Sequence, residues 1–225
     1  KNSKRLYKLI NQLLEVQKSN SPGNLIKLQP INLVYFLSKC SELFLTTAKS
    51  KGISFTLTIN GKVIDPTKTT SKVIILLANK DSLEKIIFNY LSNALKHCKG
   101  KPIELCLKEE DEKILIKVKD QGDGIPEEQH SKIFEMFEQV EKNNDNSGFG
   151  IGLSLVKNLA EKMDGQAGVS SKPGNGSEFW VSFDKYKPKI SEFIFLIDEQ
   201  DFPKIHNLLN FLERDTYHIF NDEIE

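Results

Sequence analysis

The chain has 225 residues, 39% of them hydrophobic and 28% charged, and its 31 basic and 31 acidic side chains leave no net charge. That composition suits one full domain with attachments, or two small ones, around an ordinary hydrophobic core. It argues against a nucleic-acid binder, which carries a basic surplus, and the scattered Cys40, Cys98 and Cys106 form neither a disulfide framework nor a zinc motif.

No apolar run reaches the roughly 20 residues a membrane helix needs, and no secretory leader is visible. A reducing, cytoplasmic setting is therefore expected for the domain. The chain opens abruptly in a helical pattern, which leaves room upstream for a membrane anchor.

Residues 1–22 read as a helix. Leu6, Ile10 and Leu13 recur at helical spacing, and Leu9, Leu14 and Val16 widen the stripe. A stripe this wide suits a helix bundle, and Ser21-Pro22-Gly23 ends it. A second helix is predicted over about 32–50. Residues 53–59 alternate as a strand, Asn60-Gly61 marks a turn, and residues 73–78 form a short strand. A helix over 81–97 follows, with Asp81 as its cap and Glu84 completing a capping box. Residues 103–120 read as a hairpin with an acidic turn at 109–112. Short helical pieces and a polar, glycine-punctuated loop over 138–150 come next. Residues 151–163 form a helix ended by Asp164-Gly165, with glycine in its usual C-terminal place. Two strands around Pro173-Gly174-Asn175-Gly176 complete the order. Mixed helices and strands ending in hairpins predict an α+β fold, a mixed sheet with helices on one face.

Four pieces of this order carry chemistry. Asn89, Asn93 and Lys96 fall on one face of the helix over 81–97. Amide oxygens suit hard Mg²⁺ and a lysine suits phosphate, so the stripe reads as a Mg–phosphate site or as a plain solvated face. Asp120 ends a strand and is followed by Gly122 and Gly124. A carboxylate there can accept from an exocyclic amine while the glycines admit a ring, or the segment is a simple turn. Gly148, Gly150 and Gly152 lead into a helix whose N-terminal N–H groups can hold phosphate. They match neither the dinucleotide-binding fingerprint nor a Walker loop. Gly174, Gly176 and Ser177 open the last strand and, alone, are a hairpin turn.

Taken in order, N-x-x-x-N-A-x-K, D-x-G-x-G-I, F-x-x-F, G-x-G-x-G-L and G-x-G-S-x-F resemble the catalytic domain of the sensor histidine kinases. These belong to the ATPase superfamily shared with gyrase, Hsp90 and MutL. The resemblance covers about 32–184. It implies a two-layer α/β sandwich of the Bergerat type, with a mixed sheet against helices, that binds ATP and Mg²⁺. It assigns Asn93 to the metal, Asn89 to metal and phosphates in a catalytic role, and Lys96 to the phosphates. It assigns Asp120 to the adenine amine, with Gly122, Gly124 and Ile125 lining the base. Phe134 and Phe137 match paired phenylalanines beside a lid over 138–147, and they also read as plain core aromatics. Gly148, Gly150, Ile151, Gly152 and Leu153 would cradle the phosphates, and Ser177 would stand near the base.

The flanks extend the resemblance. Residues 1–22 look like the end of the second helix of a dimerisation and phosphoacceptor region, which implies a homodimer in the full-length protein. The family's acceptor histidine lies on the first such helix. None of His97, His130, His206 and His218 has that position. Residues 189–225 combine an apolar strand, Asp198-Glu199 and a helical pattern through Ile205, Leu208, Leu209 and Leu212. They resemble the start of a response-regulator receiver domain, as in a hybrid kinase, or form a strand–helix extension. A complete receiver needs more chain, since domains run to at least about 50 residues.

The expected organisation is therefore a bundle helix over 1–22, an ATP-binding domain over 30–185 and an extension over 189–225. The expected function is ATP-dependent phosphorylation of a histidine supplied outside this chain, in two-component signalling with a receiver domain as partner. The alternatives are a degenerate, non-catalytic nucleotide-binding module and an ATP-driven conformational machine of the gyrase kind. The intact asparagine and glycine sets oppose the first, and the paired phenylalanines and bundle helix oppose the second.

Overall fold

The structure is a computed structural model that describes residues 26–68, 72–138 and 149–186. The expected bundle helix over 1–22, Gly148 with nearly all of the expected lid, His206, His218 and the stretch over 189–225 lie outside the described residues.

The chain enters on strand β1 (Gln29–Asn32) and turns into helix α1 (Leu33–Ser50). Asn32 caps that helix, its side chain accepting from the N–H groups of Val34 and Tyr35. Strands β2 (Phe55–Ile59) and β3 (Lys62–Ile64) form a hairpin. Its Asn60-Gly61 turn has φ of 48° and 77°, the left-handed pair a tight two-residue turn demands. Strand β4 (Ile75–Ala78) pairs with β1 in a small separate sheet, then helix α2 (Lys80–His97) begins. The cap of α2 is Asn79, whose side chain accepts from Ser82 N–H at 2.9 Å. The predicted Asp81 cap is thus displaced by two residues, and Asp81 instead places its charge in the first turn, where the helix dipole favours it.

Strands β5 (Ile103–Glu109) and β6 (Lys113–Asp120) form the expected hairpin, followed by two single 3₁₀ turns (Glu127–Gln129 and Lys132–Phe134). Helix α3 (Gly152–Glu161) and strands β7 (Gln166–Ser171) and β8 (Ser177–Asp184) complete the domain. Asp164 takes the left-handed conformation after α3, at φ 56°. Gly165, expected in that role, is required for a different reason: a β-carbon there would strike the Phe183 ring and the Ser182 carbonyl.

The main sheet has the order β3-β2-β5-β6-β8-β7. It is mixed, with β2 and β5 parallel and the remaining pairs antiparallel. Alternation along β5, β6 and β8 buries one face only. That face presents Ile103, Leu105, Leu107, Ile116, Val118, Val181 and Phe183 to α1, α2 and α3 in one continuous core. Tyr90 of α2 is fully buried against Phe179, and its hydroxyl donates to the Trp180 carbonyl at 2.9 Å. This contact fixes the height of α2 over the sheet. The described residues thus form the α+β, two-layer arrangement that the element order predicts.

Candidate functional site

Helix α2 is the spine of the site. Its inner face (Leu83, Ile86, Ile87, Tyr90, Leu91 and Ala94) is buried in the core. Asn89 and Asn93 are left half-buried on the opposite stripe, with Lys96 exposed. His97 lies eight positions after Asn89, about 12 Å at the helical rise per residue. The other glycine motifs meet α2 at the two ends of that span.

At the Asn89 end stands the N-terminus of α3. A β-carbon on Gly152 would come within 2.5 Å of Asn89 Oδ1. The Asn89 amide nitrogen donates back to the Lys85 carbonyl at 2.8 Å, which aims the oxygen toward α3. The first turn of α3 contains no acidic residue, and no side chain among the described residues caps its N–H groups. A helix start with open donors and no competing carboxylate is suited to an anion. Gly150 has φ 68°, and its carbonyl accepts from Phe137 N–H at 2.9 Å.

At the His97 end stands the loop after β6. The His97 carbonyl occupies the space a side chain on Gly122 would need. Asp120 is 2% exposed and ends β6 in register with Ile103 and Ser177. Its Oδ1 accepts from Gly122 N–H at 2.7 Å. Burial pushes its carboxyl above the usual carboxylate range, and N–H groups of Gly122 and Ser177 partly offset that. Gly124 has φ 73°, and a side chain there would strike the Lys172 carbonyl. The β7–β8 turn is therefore pressed against this loop, and Gly174 N–H donates to the Asp123 carbonyl at 2.6 Å. One face of α2 thus joins an open helix N-terminus at one end to a buried carboxylate in a glycine-lined recess at the other.

Several expected residues stand differently from their assigned surroundings. Ile151 is 1% exposed and belongs to the core, so only its backbone faces the approach to α3. Ile125 and Leu153 are half-buried against the same core. Phe134 is buried, whereas Phe137 is 60% exposed with φ 68°. The two phenylalanines are therefore not an equivalent core pair. Sequence reasoning missed Ser171, whose hydroxyl accepts from Ile125 N–H at 2.8 Å and donates to the Gly176 carbonyl at 2.7 Å. It also missed His130, whose Nε2 lies 3.1 Å from the Ile125 carbonyl. Neither belongs to a glycine, asparagine or aspartate motif, and no spacing signals them.

Among the described residues no cluster of three His, Cys, Asp or Glu side chains could hold a metal ion. Their cysteines are free, and burial raises the Cys40 thiol to about 12. No helix among the described residues is long and apolar enough to cross a membrane.

Residues 78–187 match the family model described as histidine kinase-, DNA gyrase B-, and HSP90-like ATPase. The alginate biosynthesis sensor protein KinB of Pseudomonas aeruginosa is 31% identical over 178 residues, 79% of this chain and 28% of that protein. The aerobic respiration control sensor protein ArcB of Escherichia coli (strain K12) is 28% identical over 203 residues, 88% of this chain and 25% of that protein. The chain thus spans about a quarter of the length of these curated relatives. Full-length ShkA, solved in complex with AMPPNP, matches with a TM-score of 0.69 and 26% identity, over 82% of this chain and 37% of that one. The catalytic domain of histidine kinase ThkA shares the fold, with a TM-score of 0.58 at 20% identity over 70% of this chain and 95% of that one.

Proposed function

The chain carries a domain of the histidine kinase-, DNA gyrase B-, and HSP90-like ATPase family, with the fold of a histidine kinase catalytic domain, and on that premise we propose that it binds Mg·ATP between α2 and α3 and donates the γ-phosphate to a histidine on a dimerisation helix. The observation that carries this reading is the convergence on α2. Asn89 faces Gly152 and the open start of α3, while His97 at the other end seats Gly122 beside Asp120.

The assignments follow the chemistry. Asp120 accepts from the exocyclic amine of adenine, with Gly122, Gly124, Ile125 and Ser177 around the base. The approach to α3 and its first turn, from Gly150 through Gly152 to Leu153, meet the phosphates, with Lys96 adding a positive charge. Asn93 is the metal ligand, supported by Asn89, and the donor set fits. Amide oxygens are hard neutral ligands, and Mg²⁺ habitually completes its shell with phosphate oxygens and water rather than a protein cage. Magnesium, when bound, neutralises phosphate charge.

In the transfer, a neutral imidazole nitrogen forms a bond to the γ-phosphorus as the bond to the β,γ-bridging oxygen breaks, and ADP leaves. The chain contributes position and charge. Neither described histidine is the acceptor. The His97 backbone packs on Gly122, and His130 is engaged with Ile125. The acceptor is thus supplied from outside the described residues, on the dimerisation region whose second helix ends in residues 1–22. The kinase domain covers 30–185, and residues 189–225 are a C-terminal extension, read either as the truncated start of a receiver domain, the next phosphate acceptor, or as a strand–helix extension. The full-length protein acts as a homodimer.

The test is transfer. The chain is mixed with a dimerisation bundle from a related kinase and γ-labelled ATP. Acid-labile, base-stable label on the bundle, absent with an Asn93→Ala chain, is the expected result. Steady ATP hydrolysis by the chain alone, without label on the bundle, would favour the conformational-machine reading instead.

A further inference from the structure

The hydroxyls of Ser171 and Ser177 lie 3.1 Å apart, and the surrounding hydrogen bonds decide which one donates. A serine hydroxyl has one hydrogen and two lone pairs. The Gly176 carbonyl can only accept, so the single hydrogen of Ser171 is committed to it at 2.7 Å. Ile125 N–H can only donate, so it occupies one lone pair of Ser171 at 2.8 Å. The remaining Ser171 lone pair faces Ser177 and must receive the Ser177 hydrogen. Ser177 Oγ is left with lone pairs and no hydrogen to offer elsewhere. It is also in strand register with Asp120, the buried carboxylate of the site.

We propose that Ser171 is a specificity-determining positioning residue: by capturing the Ser177 hydrogen it makes Ser177 an acceptor-only group beside Asp120, so the recess accepts a base edge carrying an amine and rejects one carrying a carbonyl. This deepens the reading that the recess holds adenine and rests on it. Two adjacent acceptors match an exocyclic amine with its two hydrogens. A purine with oxygen at that position would set its own lone pairs against both. Ser171 touches no ligand. It acts through Ser177, and through the Ile125 peptide, whose carbonyl is held from the other side by His130 Nε2.

The test compares ATP with inosine triphosphate, which replaces the amine by a carbonyl, titrated into the full 225-residue chain with Mg²⁺. Ser171→Ala frees the Ser177 hydroxyl to rotate and donate. Its preference for ATP over inosine triphosphate is expected to fall by about fivefold, the worth of one hydrogen bond. ADP and ATP should weaken by the same factor, because the change lies at the base and not at the phosphates. Ser171→Thr, which keeps the hydroxyl, should restore the preference, and a merely structural role for Ser171 would weaken both triphosphates alike. Ser177→Ala is the second variant, serving if Ser171→Ala does not fold. It should lose the same discrimination. An unchanged ratio of the two affinities in either folded variant, with wild-type binding intact, overturns the inference alone. Failure of the wild-type chain to bind either nucleotide overturns the parent reading and this inference with it.

Discussion

Asn89 Oδ1 stands 2.5 Å from where a β-carbon on residue 152 would lie, so the asparagine of α2 and the first residue of α3 share one small space. Gly152 is helical and lacks the positive φ that often demands glycine. On propensity alone, alanine there should stabilise α3 by up to about 1 kcal/mol. The proximity of Asn89 reverses that expectation. Gly152→Ala should leave the melting temperature unchanged or lower and weaken ATP binding by roughly tenfold or more, since misplaced ligating groups are costly. A variant that melts higher and binds ATP normally would show that the Asn89–Gly152 contact has no role in the site.

Asp120 sets stability against function. Burial holds its carboxyl above the usual carboxylate range, so the folded chain takes up its proton more readily than the unfolded chain does. The charged form is therefore a cost at neutral pH. That cost is complete above the folded pKa and disappears as pH falls through the folded value to the unfolded one. Asp120→Asn should melt higher than the wild type near neutral pH, with the difference closing in the acid range. Its ATP affinity should drop roughly 10- to 100-fold through loss of the charged acceptor. Thermal melts across pH, alongside titration at neutral pH, check both halves.

Tyr90 should behave in the opposite way. Its hydroxyl satisfies the Trp180 carbonyl from inside the core, and burial pushes its pKa far up, so it stays neutral. Tyr90→Phe should cost about 1–2 kcal/mol of stability by leaving that carbonyl unpaired. Nucleotide affinity, measured well below the melting temperature, should stay the same.

Phe137 combines an exposed ring with a left-handed backbone, an uneconomical arrangement for an aromatic residue. Phe137→Gly should relieve that strain and raise stability by up to about 1 kcal/mol. Transfer to a supplied dimerisation bundle should fall, because the exposed ring is lost. A lower melting point in this variant would show that the ring contributes packing after all.

Much of the architecture was readable because periodicity reports burial. The stripe through Asn89, Asn93 and Lys96 follows from helical spacing, and the hairpins follow from alternation and turn residues. The short strands β1 and β3 were missed because three or four residues carry too little alternation to register. The cap of α2 was misplaced because Asn79 and Asp81 are both good caps, and only tertiary packing selects between them. The need for glycine at 165 comes from Phe183, a neighbour remote in sequence. Ile151 falls within a phosphate-loop pattern, yet its side chain fills the core. Ser171 left no trace in the sequence, because its importance comes from strand pairing that sets it beside Ser177.

On the proposed reading, the α2–α3 cleft holds ATP together with a magnesium ion through Asn93. Calorimetric titration of ATP into the chain, with Mg²⁺ and with a chelator in its place, tests it directly. Binding with Mg²⁺ should weaken sharply in the chelator, and a folded Asn93→Ala chain should show no measurable binding. Equal affinity in all three titrations would contradict it.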